Sequence, residues 1–111
     1  MNPLRVGAVG YLNARPLVYG LERDARFAVR FDAPSRCAEL LHTGEVDLGL
    51  IPSIEYLHGP DYAIVPGVAI ASHGPVASVA LFTKGRVSAI QSIAADSGSR
   101  TSVALLRVLC A

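Results

Sequence analysis

Three apolar runs separated by two helical patterns fill the first half of the chain, and this alternation limits the possible folds more than any other feature. Leu4 to Gly10 is a short apolar run bounded by glycine, as expected of a buried strand. Asn13 then stands where a helix from Ala14 to about Arg23 needs its N-cap, with Pro16 in the first turn, where its missing N–H costs little. Phe27 to Phe31 alternates apolar and polar residues as a second strand. Pro34-Ser35 opens a second helix with Cys37, Leu40 and Leu41 on one face, and Gly44 ends it. Val46 to Ile51 is a third strand, stopped by Pro52, which seeds a short helix carrying Ile54, Tyr56 and Leu57. Strand, helix, strand, helix, strand with short connections predicts an α/β fold. Its sheet is parallel and covered by helices on both faces, with ligands bound at the carboxyl ends of the strands.

Beyond Pro52 the runs Ile64–Ile70 and Val76–Thr83 predict two more strands, and Lys84-Gly85-Arg86 a turn or hinge. Val87 to Ile93 is short and leads into a helix start. The expected organisation is a first lobe over 1–86 and the beginning of a second over 87–111. A cleft between lobes gathers three polar strand ends: Tyr11-Leu12-Asn13, Ile51-Pro52-Ser53 and Gly74-Pro75-Val76-Ala77-Ser78. Arg107 is the only charge in the last apolar run, Val103 to Cys110, so nearly every face of that helix expects cover. The run lacks a glycine or asparagine stop signal and a polar tail, so the chain reads as the front part of a longer protein.

Charge and cysteine usage exclude several function classes. Ten basic and nine acidic residues give a net charge of +1 without a basic run, which argues against nucleic acid and anionic membrane as partners. Tyr62 to Thr83 carries no charged residue, but Pro66, Gly67, Gly74 and Pro75 interrupt it, so it reads as strands and a turn, not as a membrane span. No cleavable leader pattern stands at the N-terminus, and a cytoplasmic protein is expected. Cys37 and Cys110 read as isolated, buried small hydrophobes in a reducing compartment. His42, His58 and His73 have no metal-ligand spacing, and no metal site is expected. Neither G-x-G-x-x-G nor G-x-x-x-x-G-K-[ST] occurs, which argues against nucleotide cofactors, and no serine lies in a G-x-S-x-G elbow.

The residues suited to ligand contact are polar and sit at element ends. Ser97-Gly98-Ser99-Arg100-Thr101-Ser102 precedes a helix whose first-turn N–H groups suit a carboxylate or phosphate, although the same residues suit ordinary capping. The Asn13 amide can cap a helix or hold a substrate hydroxyl or carboxylate through one donor and one acceptor. Ser78 shares a strand face with Val76, Ala80 and Phe82, and reads equally as a half-buried serine or a ligand contact. Ser53 follows Pro52 at a helix start, where capping is the simpler role. Arg15 and Arg36 lie in first turns, where the helix dipole disfavours a cation unless an anion is near. Asp47 and Glu55 show no convincing pairing by spacing, so no general acid or base is assigned to a carboxylate.

Four segments in order carry a resemblance to a known family. They are Val6-Gly7-Ala8-Val9-Gly10-Tyr11-Leu12-Asn13-Ala14-Arg15-Pro16-Leu17, Asp47-Leu48-Gly49-Leu50-Ile51-Pro52-Ser53, Gly74-Pro75-Val76-Ala77-Ser78-Val79 and Asp96-Ser97-Gly98-Ser99-Arg100-Thr101-Ser102. Together they resemble the chorismate dehydratases of the futalosine route to menaquinone, a family more than twice as long. The resemblance implies a fold like the type II periplasmic binding proteins, two α/β lobes around a cleft, here holding most of the first lobe and the start of the second. It also implies loss of water from chorismate, a small dicarboxylate, without metal or organic cofactor. Carried over by motif, Asn13 and Ser78 form a catalytic polar pair, while Tyr11, Ser53, Ser97, Ser99, Arg100 and Thr101 contact substrate. The opening motif differs from that of the sister enzyme making 1,4-dihydroxy-6-naphthoate. A non-catalytic carboxylate-binding protein is the alternative from another class. The chain by itself is expected to be inactive.

Overall fold

Hydrogen-bonded pairing in the first 50 residues builds a three-stranded parallel sheet in the order β2-β1-β3, as seen in a computed structural model describing residues 1–111. β1 (Leu4–Val9) is central and pairs with β2 (Phe27–Asp32) from Leu4↔Phe27 to Val9↔Asp32, and with β3 (Leu48–Gly49) at Val6↔Leu48 and Gly7↔Gly49. Its consecutive residues Val6 to Val9 are all buried, as a strand covered on both faces requires. The edge strand β2 alternates half-buried Phe27 and Val29 with exposed Ala28 and Arg30. The expected third strand, Val46–Ile51, is formed only in its middle. Two flanking bonds, Asp47 N–H to the Arg5 carbonyl and Leu50 N–H to the Gly7 carbonyl, both 2.9 Å, extend the ladder.

α2 (Pro34–His42) follows the sequence closely. Pro34 stands at its first position, Cys37, Ala38 and Leu40 are buried, and Gly44 accepts the left-handed conformation after the last turn (φ 75°). The Gly44 N–H donates to the Leu41 carbonyl and the Glu45 N–H to the Leu40 carbonyl, which satisfies two terminal carbonyls. The core consists of Val6, Ala8 and Val9 with Ala14, Val18, Cys37, Ala38, Leu40 and Val46.

Other expectations are corrected. The helix foreseen from Ala14 to Arg23 is broken into a 3-10 turn at Leu12–Ala14, the single turn α1 (Arg15–Val18) and a second 3-10 turn at Leu21–Arg23, because Gly20 reverses the backbone at φ 83°. Asn13 therefore lies inside a 3-10 turn and caps nothing. Ile64–Ile70 and Val76–Thr83 do not form strands. Pro66-Gly67 turns in the middle of the first, with Gly67 at φ 81°, and the second bends at Ala77-Ser78 without a ladder partner. The remaining elements are 3-10 helices at Ser53–Leu57 and Val87–Ala89 and the ten-residue α3 (Arg100–Leu109), which packs on the former. Within Ser53–Leu57 the buried residue is Glu55, whereas Tyr56 and Leu57 are exposed, the reverse of the expected apolar face. Cys110, expected to be buried, lies exposed past the end of α3.

The accessible surface is 8712 Å² and the radius of gyration 16.5 Å. A compact chain of this size has about 5,900 Å² and about 13 Å. The excess comes from residues 60–99, which are almost wholly exposed.

Candidate functional site at the carboxyl edge of the sheet

β1 leads to β2 on one side of the sheet, and the chain then crosses to β3 on the other side of β1. The connections thus diverge between β1 and β3, and open parallel sheets bind ligands outside the strand ends at such a switch point. The segments emerging there are Gly10-Tyr11-Leu12-Asn13 after β1 and Leu50-Ile51-Pro52-Ser53 after β3. Their topology therefore places three residues singled out above, Tyr11, Asn13 and Ser53, at one edge.

Tyr11 is exposed and lines an open depression of about 280 Å³ with Gly10, Phe31, Asp32 and Ala33. Asn13 is exposed and its amide makes no hydrogen bond within the chain. The Arg15 guanidinium lies 4.9 Å from the Phe31 ring centroid, held by the ring face, and forms no ion pair. Arg36, the other first-turn cation, is matched by Glu39 at 3.0 Å, an acidic neighbour that offsets its unfavourable helix position. The opposite edge of the sheet is occupied by structural pairs. Arg5 clasps Asp47 through Nη2 at 2.6 Å and Nε at 3.0 Å, and the side-chain and backbone N–H groups of Arg5 lower the Asp47 pKa to about 2. Arg26 does the same to Asp24, also lowered to about 2. Under the carboxyl edge, the buried Cys37 thiol donates to the Ala8 carbonyl at 3.4 Å, and burial raises its pKa.

The serine-rich segment before α3 is set differently from expectation. Helical geometry starts at Arg100, and Ser99 holds the cap position without a side-chain cap bond; its hydroxyl instead pairs with that of Ser102 at 2.7 Å. The Gly98 N–H donates to the Asp96 carboxylate at 2.9 Å, so one loop amide already has an anion of the chain's own. Ser97 and Thr101 are exposed. Arg100 points both guanidinium ends at carboxylates, Nη1 to Glu55 at 3.1 Å and Nη2 to Glu39 at 3.0 Å. Ser78 lies on an exposed turn and makes no hydrogen bond to the other candidates.

Glu55, for which spacing alone offered no partner, is the buried charged residue of the structure. Its carboxylate is 3% exposed and takes a hydrogen bond from His42 Nε2 at 2.7 Å besides the Arg100 contact, with His58 Nδ1 4.0 Å away. Burial alone would raise its pKa, but the bonds from His42 and Arg100 outweigh burial and lower it. The other ring nitrogen of His42 meets the Tyr62 hydroxyl, whose ring stacks on the imidazole. The signal in the sequence was one acid inside the apolar stretch Ile54-Glu55-Tyr56-Leu57, whose partners lie 13 and 45 residues away.

A three-stranded parallel sheet with exposed amide, phenol and hydroxyl groups at its switch point and an unpaired arginine beside them defines an α/β unit, and in open parallel sheets that edge is where ligands bind. The particular family follows from comparison with known proteins. A sequence profile of the family described as menaquinone biosynthesis matches residues 4–111, and the chain belongs to that family. It is 37% identical over 110 residues, 98% of its length, to a chorismate dehydratase of Thermus thermophilus. The chain spans 40% of the length of that relative. No solved structure matches it.

Proposed function

We propose that this chain is part of a chorismate dehydratase, which removes water from chorismate to give 3-[(1-carboxyvinyl)oxy]benzoate for menaquinone biosynthesis. The observation that carries the proposal is the 37% identity to a dehydratase across nearly the whole chain. In this reaction the ring carbon bearing the enolpyruvyl ether gives up its proton, the neighbouring hydroxyl leaves with its electron pair, and the ring becomes aromatic. Aromatisation supplies the driving force, so the protein's work is to orient the substrate and stabilise charge as it moves. The residues at the carboxyl edge suit that work. Asn13 offers a free donor and acceptor for the reacting hydroxyl, Tyr11 and Ser53 flank it, and Arg15 offers a cation to a substrate carboxylate. Carried over by motif, Ser78 is the second catalytic polar group beside Asn13.

We further propose that residues 1–86 form most of one lobe and residues 87–111 begin a second, in a two-lobed architecture like the type II periplasmic binding proteins. Substrate is then held between Tyr11, Asn13 and Ser53 on one side and Ser97, Ser99, Arg100 and Thr101 on the other. The test is incubation of the complete enzyme with chorismate, following aromatisation by absorbance and the product by mass. Loss of one water without added cofactor supports the dehydratase. Saturable binding with chorismate unchanged points to a carboxylate-binding protein or to the sister enzyme.

A further inference from the structure

A buried carboxylate must be compensated or it does not persist. Glu55 is compensated from two elements, by His42 of α2 and Arg100 at the first position of α3, with His58 Nδ1 4.0 Å away. Arg100 in turn bridges to Glu39 of α2 with its second nitrogen, so the guanidinium fork is divided between two carboxylates. Between Leu57 and Arg100 the chain has one three-residue 3-10 turn and no strand, and covalent connection alone does little to place α3. Its position comes from packing on Ser53–Leu57 and from these ion pairs. Ser53 lies two residues before Glu55, and Ser99 and Thr101 flank Arg100. The pair is therefore a direct charged link between two segments that the proposed function assigns to substrate.

We infer that Glu55 is a positioning residue: through Arg100 it fixes the start of α3 against the 3-10 helix that begins at Ser53, and so sets the spacing at which both segments meet substrate. The inference rests on the dehydratase reading for its kinetic consequence. It also changes the role of Arg100. With both guanidinium ends occupied, Arg100 acts as a strap between elements and contributes little as a free cation for a substrate carboxylate.

The experiment uses the complete enzyme with Glu55→Gln, Arg100→Met and their double variant, reading kcat and KM for chorismate and hydrogen exchange of the amides from 99 to 106. Glu55→Gln keeps the shape and a hydrogen bond to His42 but loses the charge. It is expected to raise KM about tenfold with kcat within about threefold, since a loosened contact weakens ground and transition state alike. Exchange across the first turns of α3 should rise together with KM. Arg100→Met should do the same, and the double variant should be no worse than either single, the mark of two residues acting as one. An unchanged or lower KM in Glu55→Gln, with a raised KM in Arg100→Met, would show Arg100 to be a direct ligand and overturn the inference. Additive effects in the double variant would do so as well. Should Glu55→Gln fold poorly, Arg100→Lys, at a side chain 33% exposed, keeps the charge but not the fork; wild-type KM there is equally fatal. Failure of the unmodified enzyme to turn over chorismate would defeat the dehydratase reading alone. The exchange measurement then decides the strap by itself, unchanged protection in both single variants overturning it.

Discussion

Replacing Asn13 by alanine separates stability from chemistry more cleanly than any other change at the carboxyl edge. The side chain is exposed, makes no hydrogen bond within the chain and caps neither the 3-10 turn it belongs to nor α1. Nothing in the folded state is lost with the amide, so the expected change in stability is below about 0.5 kcal/mol. In a protein of about 250 residues or more that amounts to a Tm shift of about 1 °C. Had Asn13 been the helix cap expected from the sequence, the cost would be about 1 kcal/mol and the shift about twice as large. For catalysis the expectation is opposite in scale. An amide that assists proton or hydroxyl transfer contributes about 10²–10⁴ in turnover, or about 2.7–5.4 kcal/mol of transition-state stabilisation. The assay is chorismate aromatisation by the complete enzyme under saturating substrate, with a thermal melt of the same preparation. Turnover within about threefold of the parent, or activity lost only in step with a falling Tm, would refute a chemical role for Asn13.

Three further outcomes follow from the same structure. Ser78→Ala should also leave the melt unchanged, because the exposed Ser78 bonds to none of the other candidates, while lowering turnover by about 10²–10⁴; a normal rate removes it from the catalytic pair. Leu40→Ala, which empties a fully buried position under β1, should cost about 2–5 kcal/mol in urea unfolding, and a cost below about 1 kcal/mol would show that α2 does not seal the core. Asp47 and Asp24 have folded pKa values lowered to about 2 from an unfolded value near 3.8. Their contribution is therefore complete above pH 3.8 and disappears as the pH falls towards 2. Asp47→Asn should flatten that part of the stability profile, and an unchanged profile would assign acid sensitivity to other groups.

How much could be read from the sequence depended on how local the responsible forces were. β1, β2 and α2 were legible because each is set by signals within a few residues: an apolar run, an alternation, Pro34 at a helix start, Gly44 at its end. The helix after β1 was misjudged because Gly20 takes a positive φ and outweighs the helical pattern around it. The runs at 64–70 and 76–83 have strand composition, yet a strand exists only with a partner, and Pro66-Gly67 turns away before one is met. That Tyr11, Asn13 and Ser53 share one edge of the sheet was legible because strand ends can be located from strand patterns. The pairing of Glu55 was not legible, since its partners His42 and Arg100 are brought near only by tertiary packing.

The same distinction explains how the two edges of the sheet are used. At the amino edge Arg5 is matched with Asp47 and Arg26 with Asp24, pairs that close the sheet. At the carboxyl edge Arg15 rests on an aromatic face, not on a carboxylate, and Asn13 keeps both halves of its amide free. Leaving polar groups unsatisfied costs little while water reaches them, but once the edge is covered each must find a partner. The exposed apolar surface carried by residues 60–99 favours such cover. On the proposed dehydratase reading, a substrate dianion seated between Arg15 and Asn13 would satisfy the cation and the amide as water is excluded, and desolvation would strengthen both contacts.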